Sequence, residues 1–147
     1  MTDVPVDILL VEDDPNDGEM AVRAIRRHNV TNHIYMVGDG AEALDFIFCR
    51  GVYASRRKDD GPMLILLDLR LPKVDGLDML RRLKEDPTAG FIPVVVITAS
   101  RDERDLVESY RLGVKGYIVK PVDFQQFTDA VQQVGLSWTL VDQPLAM

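Results

Sequence analysis

Three short stretches of this chain are apolar without interruption: Ile8-Leu9-Leu10-Val11, Met63-Leu64-Ile65-Leu66-Leu67 and Val94-Val95-Val96-Ile97. A strand with one face in water alternates apolar and polar side chains. A strand that is apolar throughout must be covered on both faces. Two weaker runs complete a set of five, which predicts strands at Ile8–Val11, Ile34–Val37, Met63–Leu67, Val94–Thr98 and Gly116–Val119. Helical periodicity fills the intervals. Val22 and Ile25 share a face within Asn16–His28, as do Leu44, Ile47 and Phe48 within Ala41–Cys49. Further stripes are Leu77, Leu80 and Leu83, then Leu106, Val107 and Tyr110, then Phe124, Phe127, Val131 and Val134, and all of them read as core.

Strict strand–helix alternation predicts a parallel sheet with helices on both faces. Right-handed crossovers leave few topologies. The expected architecture is a flavodoxin-like, doubly wound α/β fold with strand order 2-1-3-4-5. The 147 residues suffice for one core, so the expectation is a single domain over 1–147, with its core at about 6–138 and a tail at 139–147. The stretch Arg50–Pro62 is a long polar connection, expected to be a mobile loop or an added contact surface. Its Arg56-Arg57-Lys58 run reads as solvated.

A net charge of −7 argues against a nucleic-acid or anionic-membrane surface. The one cysteine, Cys49, reads as buried filler in a reducing compartment. No run approaches the ~20 apolar residues of a membrane span, and the first residues lack the apolar core of a secretion signal. The sequence therefore predicts a cytoplasmic protein.

The chemistry gathers where strands end. Ile8–Val11 runs into Glu12-Asp13-Asp14, Met63–Leu67 into Asp68, Val94–Ile97 into Thr98, and Gly116–Val119 into Lys120-Pro121. In open α/β sheets, ligands bind at that carboxyl edge, where the winding reverses between strands 1 and 3. Glu12, Asp13 and Asp68 would face one crevice, with Thr98 and Lys120 on the same rim. Clustered carboxylates repel one another and are usually held ionised by a cation. A few carboxylates with room for water suit Mg²⁺, which also accepts phosphate oxygens. The ammonium of Lys120 would pair with Asp68 or with a phosphoryl oxygen, and the Thr98 hydroxyl would donate to one. The Lys120-Pro121 bond is of the kind that adopts the cis form. This set suits phosphoryl transfer onto a carboxylate, with Asp68 as nucleophile.

Four segments, in order and in register, carry a family resemblance: Val-Glu-Asp-Asp (11–14), Leu-Asp-Leu-Arg-Leu-Pro-Lys-Val-Asp-Gly (67–76), Ile-Thr-Ala-Ser (97–100) and Gly-Tyr-Ile-Val-Lys-Pro (116–121). They resemble a two-component response-regulator receiver domain over about residues 6–135. The resemblance implies that Asp68 accepts phosphate from the phosphohistidine of a histidine kinase. It implies Mg²⁺ held by Asp13, by Asp68, by Glu12 through water and by the backbone carbonyl of Arg70. Lys120 would contact the phosphoryl group, Thr98 would move toward it, and Tyr117 would swing inward as a two-state element. The protein would act as a phosphoacceptor rather than as a turnover enzyme. The 50–62 insertion, Glu-Ser-Tyr at 108–110 and the Trp138/Pro144 tail are similar to single-domain regulators of bacterial and cyanobacterial phytochrome kinases. Such a regulator, with no output domain, would act on separate downstream proteins or pass phosphate onward. Its apolar tail, with Leu136, Trp138, Leu140 and Val141, suggests a homodimer through helix 4, strand 5 and helix 5.

Arg70 departs from the pattern, because many receivers carry a shorter residue there. Its long side chain is expected to overhang the pocket and alter the lifetime of the phosphoryl group. Asp14 reads as a helix cap, His28 and His33 as surface residues, and Asp75-Gly76 as a turn. Two other functions compete. An aspartate-nucleophile hydrolase would need an acid two residues after Asp68, where Arg70 stands. A flavin-nucleotide module would need a Ser/Thr/Gly-rich phosphate loop where Glu12-Asp13-Asp14 stands.

Overall fold

The computed structural model describes residues 8–26, 33–57, 61–121 and 124–134, with only the backbone of Phe124 and of 131–134. Five strands, β1 (Ile8–Val11), β2 (Ile34–Val37), β3 (Leu64–Leu67), β4 (Val94–Thr98) and β5 (Gly116–Val119), alternate with α1 (Pro15–Arg26), α2 (Gly40–Phe48), α3 (Gly76–Glu85), α4 (Glu103–Arg111) and α5 (Phe124–Val134). All pairings are parallel, in the order β2-β1-β3-β4-β5, which is the expected doubly wound fold.

The unbroken apolar runs account for its two layers. Successive strand side chains point to opposite faces. Leu9, Val11, Ile65, Leu67, Val94 and Val96 therefore face one way, against Leu44, Phe46, Met79, Leu80 and Leu83 of α2 and α3. Ile8, Leu10, Leu64, Leu66, Val95 and Ile97 face the other, against Ala21 and Ile25 of α1 and Phe127 and Ala130 of α5.

Several expectations are corrected. Strand β3 begins at Leu64, which pairs with Ile8 at the end of the β1 ladder, and Met63 lies outside it. Helix α1 begins one residue early because Pro15 is suited to a first helical position, where no N–H is needed. Helix α2 spans Gly40–Phe48, and Cys49 is its left-handed cap (φ 56°), half-buried rather than core. The stripe Leu106, Val107 and Tyr110 is not core. Strand β5 is an edge, and α4 turns the small Ser109 inward while leaving Val107 and Tyr110 about half exposed.

The described part of the connection after α2 is anchored by Tyr53 and Arg56. Tyr53, in a short helical turn over Gly51–Tyr53, donates to Glu42 at 2.6 Å and meets the Tyr35 hydroxyl at 2.9 Å. Its ring packs edge-on against Phe46 at 5.0 Å. The Arg56 guanidinium lies 3.7 Å over the same ring and donates to the Phe46 carbonyl, so Arg56 is not simply solvated. Lys58, His28 and the tail with Leu136, Trp138, Leu140, Val141 and Pro144 lie outside the described residues.

Candidate functional site

Ladder hydrogen bonds fix the carboxyl edge one residue past each strand. Glu12 N–H donates to Val37 O, Asp68 N–H to Val11 O and Lys120 N–H to Thr98 O, at 2.9–3.0 Å. The three side chains are thereby brought into one crevice. The carboxylate oxygens of Glu12, Asp13 and Asp68 lie within 4.8 Å of one another, with Glu12 and Asp68 buried and Asp13 exposed. The expected cluster forms.

Lys120 is the cation of the crevice. Its ammonium lies 2.7 Å from Glu12 Oε1, 2.8 Å from Asp17 Oδ2 and 2.7 Å from Asp68 Oδ2. Burial alone would lower its pKa, but the hydrogen bonds to Asp17, Asp68 and Glu12 outweigh burial and raise it. Burial pushes the Glu12 carboxyl up to about 7, and the charge of Asp68 adds to this, while Lys120 and the Asp14 N–H pull it down. Three carboxylates thus share one ammonium.

The loop after β3 is shaped by Gly76. A Cβ there would sit 2.5 Å from Leu69 Cα and 2.7 Å from the Asp68 carbonyl oxygen, while Gly76 N–H donates to Leu69 O at 3.1 Å. Asp75 caps α3 by accepting from Leu77 N–H, so the turn signal marks a helix start folded tightly against the Asp68 backbone. Asp14 caps α1 as expected, accepting from Asn16 and Asp17 N–H.

On the far side, Arg70 N–H donates to Asp68 Oδ1 at 3.0 Å. Its guanidinium donates to Ser100 Oγ at 3.2 Å and pairs with Asp105 at 3.0 Å. Thus Arg70 bridges two loops at the rim rather than hanging free. Ser100 ties the network together. Its hydroxyl donates to Asp105 at 2.6 Å, its N–H donates to Thr98 Oγ1 at 3.2 Å, and its carbonyl accepts from the Tyr117 hydroxyl at 3.2 Å. Thr98 is fully buried and Tyr117 half-buried. The Lys120-Pro121 bond is cis.

Residues 8–132 match the model of the response regulator receiver domain. The chain belongs to that family. It is 35% identical over 134 residues to the response regulator Rcp1 of Synechocystis sp., covering 91% of this chain and 89% of that one. A solved Mn(2+)-bound form of response regulator Rcp1 superposes with a TM-score of 0.75 at 33% identity, over 97% of this chain and 99% of that chain. The bacteriophytochrome response regulator AtBRR superposes with a TM-score of 0.83 at 44% identity, covering 96% of this chain and all of that one. The phosphorylated cyanobacterial phytochrome response regulator RcpA gives 0.73 at 35%, covering 97% and 98%.

Within this receiver domain, sequence reasoning missed Asp17, Ser100 and Asp105. Asp17 lies in the first turn of α1, where an acid reads as a complement to the helix dipole. Nothing in the sequence distinguishes it from that role. Ser100 had a signal, since it stands two residues after Thr98 on the same strand end. Among the described residues, no helix is long and apolar enough to cross a membrane.

Proposed function

We propose that Asp68 is the phosphoacceptor of a two-component phosphorelay. The observation that carries this is its placement: a buried carboxylate at the topological switch point, 2.7 Å from a lysine and beside two more acids. An Asp68 oxygen attacks the phosphorus of a kinase phosphohistidine. The P–O bond forms as the P–N bond breaks, and the imidazole nitrogen regains the electron pair and a proton. The all-oxygen donor set of Asp13, Asp68, Glu12 and the Arg70 carbonyl fits Mg²⁺, in keeping with the divalent ion in Mn(2+)-bound Rcp1. When bound, the ion offsets the charge that builds on the phosphoryl oxygens. Lys120 donates to one of these oxygens, and Thr98 turns its hydroxyl from Ser100 N–H toward another. Tyr117 then leaves Ser100 O and moves inward, carrying the signal to α4 and β5.

The protein acts as a switch rather than as a turnover enzyme. Arg70 stands where a hydrolase would need its acid, and its guanidinium is engaged by Asp105. Held across the rim, it slows water's approach to the acyl phosphate. The likeness to AtBRR and RcpA supports a phytochrome histidine kinase as donor, and our reading places the exchange in the cytoplasm. We read residues 1–147 as one receiver domain. The exposed Leu106, Val107 and Tyr110 support a homodimer and downstream-protein surface on α4, β5 and α5. Light scattering should find a dimer, with or without beryllofluoride, and monomer alone in both would reject it. The function itself is tested by phosphotransfer from a panel of purified, labelled histidine kinases, phytochromes among them. Label should pass to this chain and not to Asp68→Asn, fastest from a phytochrome. No transfer from any kinase would reject the proposal.

A further inference from the structure

A lysine ammonium donates at most three hydrogen bonds. Lys120 has three carboxylate partners, so its capacity is filled by Glu12, Asp17 and Asp68. These partners are not equivalent. Glu12 and Asp68 belong to the cluster whose oxygens can share one ion, and Asp17 does not. Glu12 and Asp68 are nearly sealed from water, whereas the Asp17 side chain is 38% exposed. Asp17 also comes from a separate element, the first turn of α1, where its own N–H is held by the Asp14 cap.

Positive charge entering between Glu12, Asp13 and Asp68 would engage the oxygens that now hold Lys120, and would repel its ammonium. Asp17 is the partner that remains. Beside it lies a cavity of about 310 Å³ lined by Asp17, Met20, Ala99, Lys120 and Pro121. Apart from Lys120 itself, Asp17 is the only charged group among the described residues of that lining, so it is their one counter-charge for the ammonium on that side.

We propose that Asp17 is a positioning residue for Lys120. It tethers the ammonium at the crevice mouth between α1 and β5. There the ammonium meets an oxyanion arriving on Asp68, instead of swinging into the cavity or collapsing between Glu12 and Asp68. This rests on the reading of Asp68 as phosphoacceptor, and the test keeps the two apart.

The first readout needs neither metal nor phosphate. Metal-free protein is treated briefly with an amine-acetylating reagent, and modification of Lys120 is read by peptide mass spectrometry. Asp17→Asn should label at least severalfold faster than wild type, and Asp17→Glu should stay near the wild-type rate. The second readout is phosphorylation by acetyl phosphate at saturating Mg²⁺. Asp17→Asn should lower the maximal rate roughly tenfold or more, the weight of one charge-assisted hydrogen bond. The same substitution in a Lys120→Met background should change nothing further. An equal loss in that background would mean that Asp17 acts as a bulk charge and would overturn the proposal, as would unchanged labelling. Should Asp17→Asn not fold, Asp17→Ser carries the same comparison. Uptake by Asp68→Asn, or none by wild type, would instead reject the phosphoacceptor reading, and the labelling result would still judge the tether.

Discussion

Replacing Lys120 with Met removes the ammonium that faces Glu12, Asp17 and Asp68 and leaves a side chain of similar length. In the wild-type protein that ammonium is within 2.8 Å of Glu12, Asp17 and Asp68, and its own side chain is only 14% exposed. Removing one partner of a buried ion pair costs about 3–5 kcal/mol. The crevice opens to water at Asp13 and Asp17, which places the loss at the low end, about 3 kcal/mol. For a chain of this size that corresponds to roughly 6–12 °C in Tm. The deficit depends on pH with a fixed sign. The folded-state pKa of Glu12 is raised by burial to about 7, above its unfolded value, so the folded state holds the extra proton. Stability therefore falls as pH rises through that window. Lys120 is one of the groups holding Glu12 down, so in Lys120→Met the window extends to higher pH. Lys120 itself has a raised pKa, and its contribution is fully present below the ordinary lysine range. The variant should be weakest near pH 8 and approach wild type near pH 5. At pH 8, Mg²⁺ at ten times its dissociation constant should return about 1.4 kcal/mol. It should also bind Lys120→Met more tightly, because no ammonium competes. Thermal unfolding followed by circular dichroism at both pH values, with and without Mg²⁺, reads all of this. Equal Tm values at pH 8, or a deficit that grows on acidification, would refute the reasoning.

Arg70→Asn should shorten the phosphoryl lifetime about fivefold, since about 1 kcal/mol of shielding is lost with the bridge to Ser100 and Asp105. An unchanged rate of phosphate release would reject that role. Gly76→Ala should cost at least about 2 kcal/mol in denaturant unfolding and slow phosphorylation, because its Cβ meets the Asp68 and Leu69 backbone. Wild-type stability would show that the loop yields. Tyr53→Phe should cost about 1–2 kcal/mol through the lost bonds to Glu42 and Tyr35, and should leave phosphorylation at the wild-type rate. A slowed phosphorylation rate would link the post-α2 insertion to the site.

The fold was legible because β1 and β3 are apolar at every position and β4 at every position before Thr98, a pattern expected of strands covered on both faces. Glu12, Asp13, Asp68, Thr98 and Lys120 followed, since each stands at the end of a run whose edge the topology defines. Other features depended on distances that sequence periodicity does not encode. Leu106, Val107 and Tyr110 have the spacing of a core stripe, yet α4 lies at the sheet's edge strand and faces inward with Ser109. Arg56 reads as solvated until Phe46 is seen beneath it. Asp17 meets Lys120 across 103 positions of chain, and no local pattern distinguishes it from an ordinary helix-start acid.

The central claim, that Asp68 accepts the phosphoryl group, is tested most directly by mass. Wild-type protein and Asp68→Asn are incubated with Mg²⁺ and acetyl phosphate, and intact mass and peptide mapping follow. The account predicts one added phosphoryl group on wild type, mapped to the peptide holding Asp68, and none on the variant. An adduct that persists in Asp68→Asn, or that maps elsewhere, would contradict it.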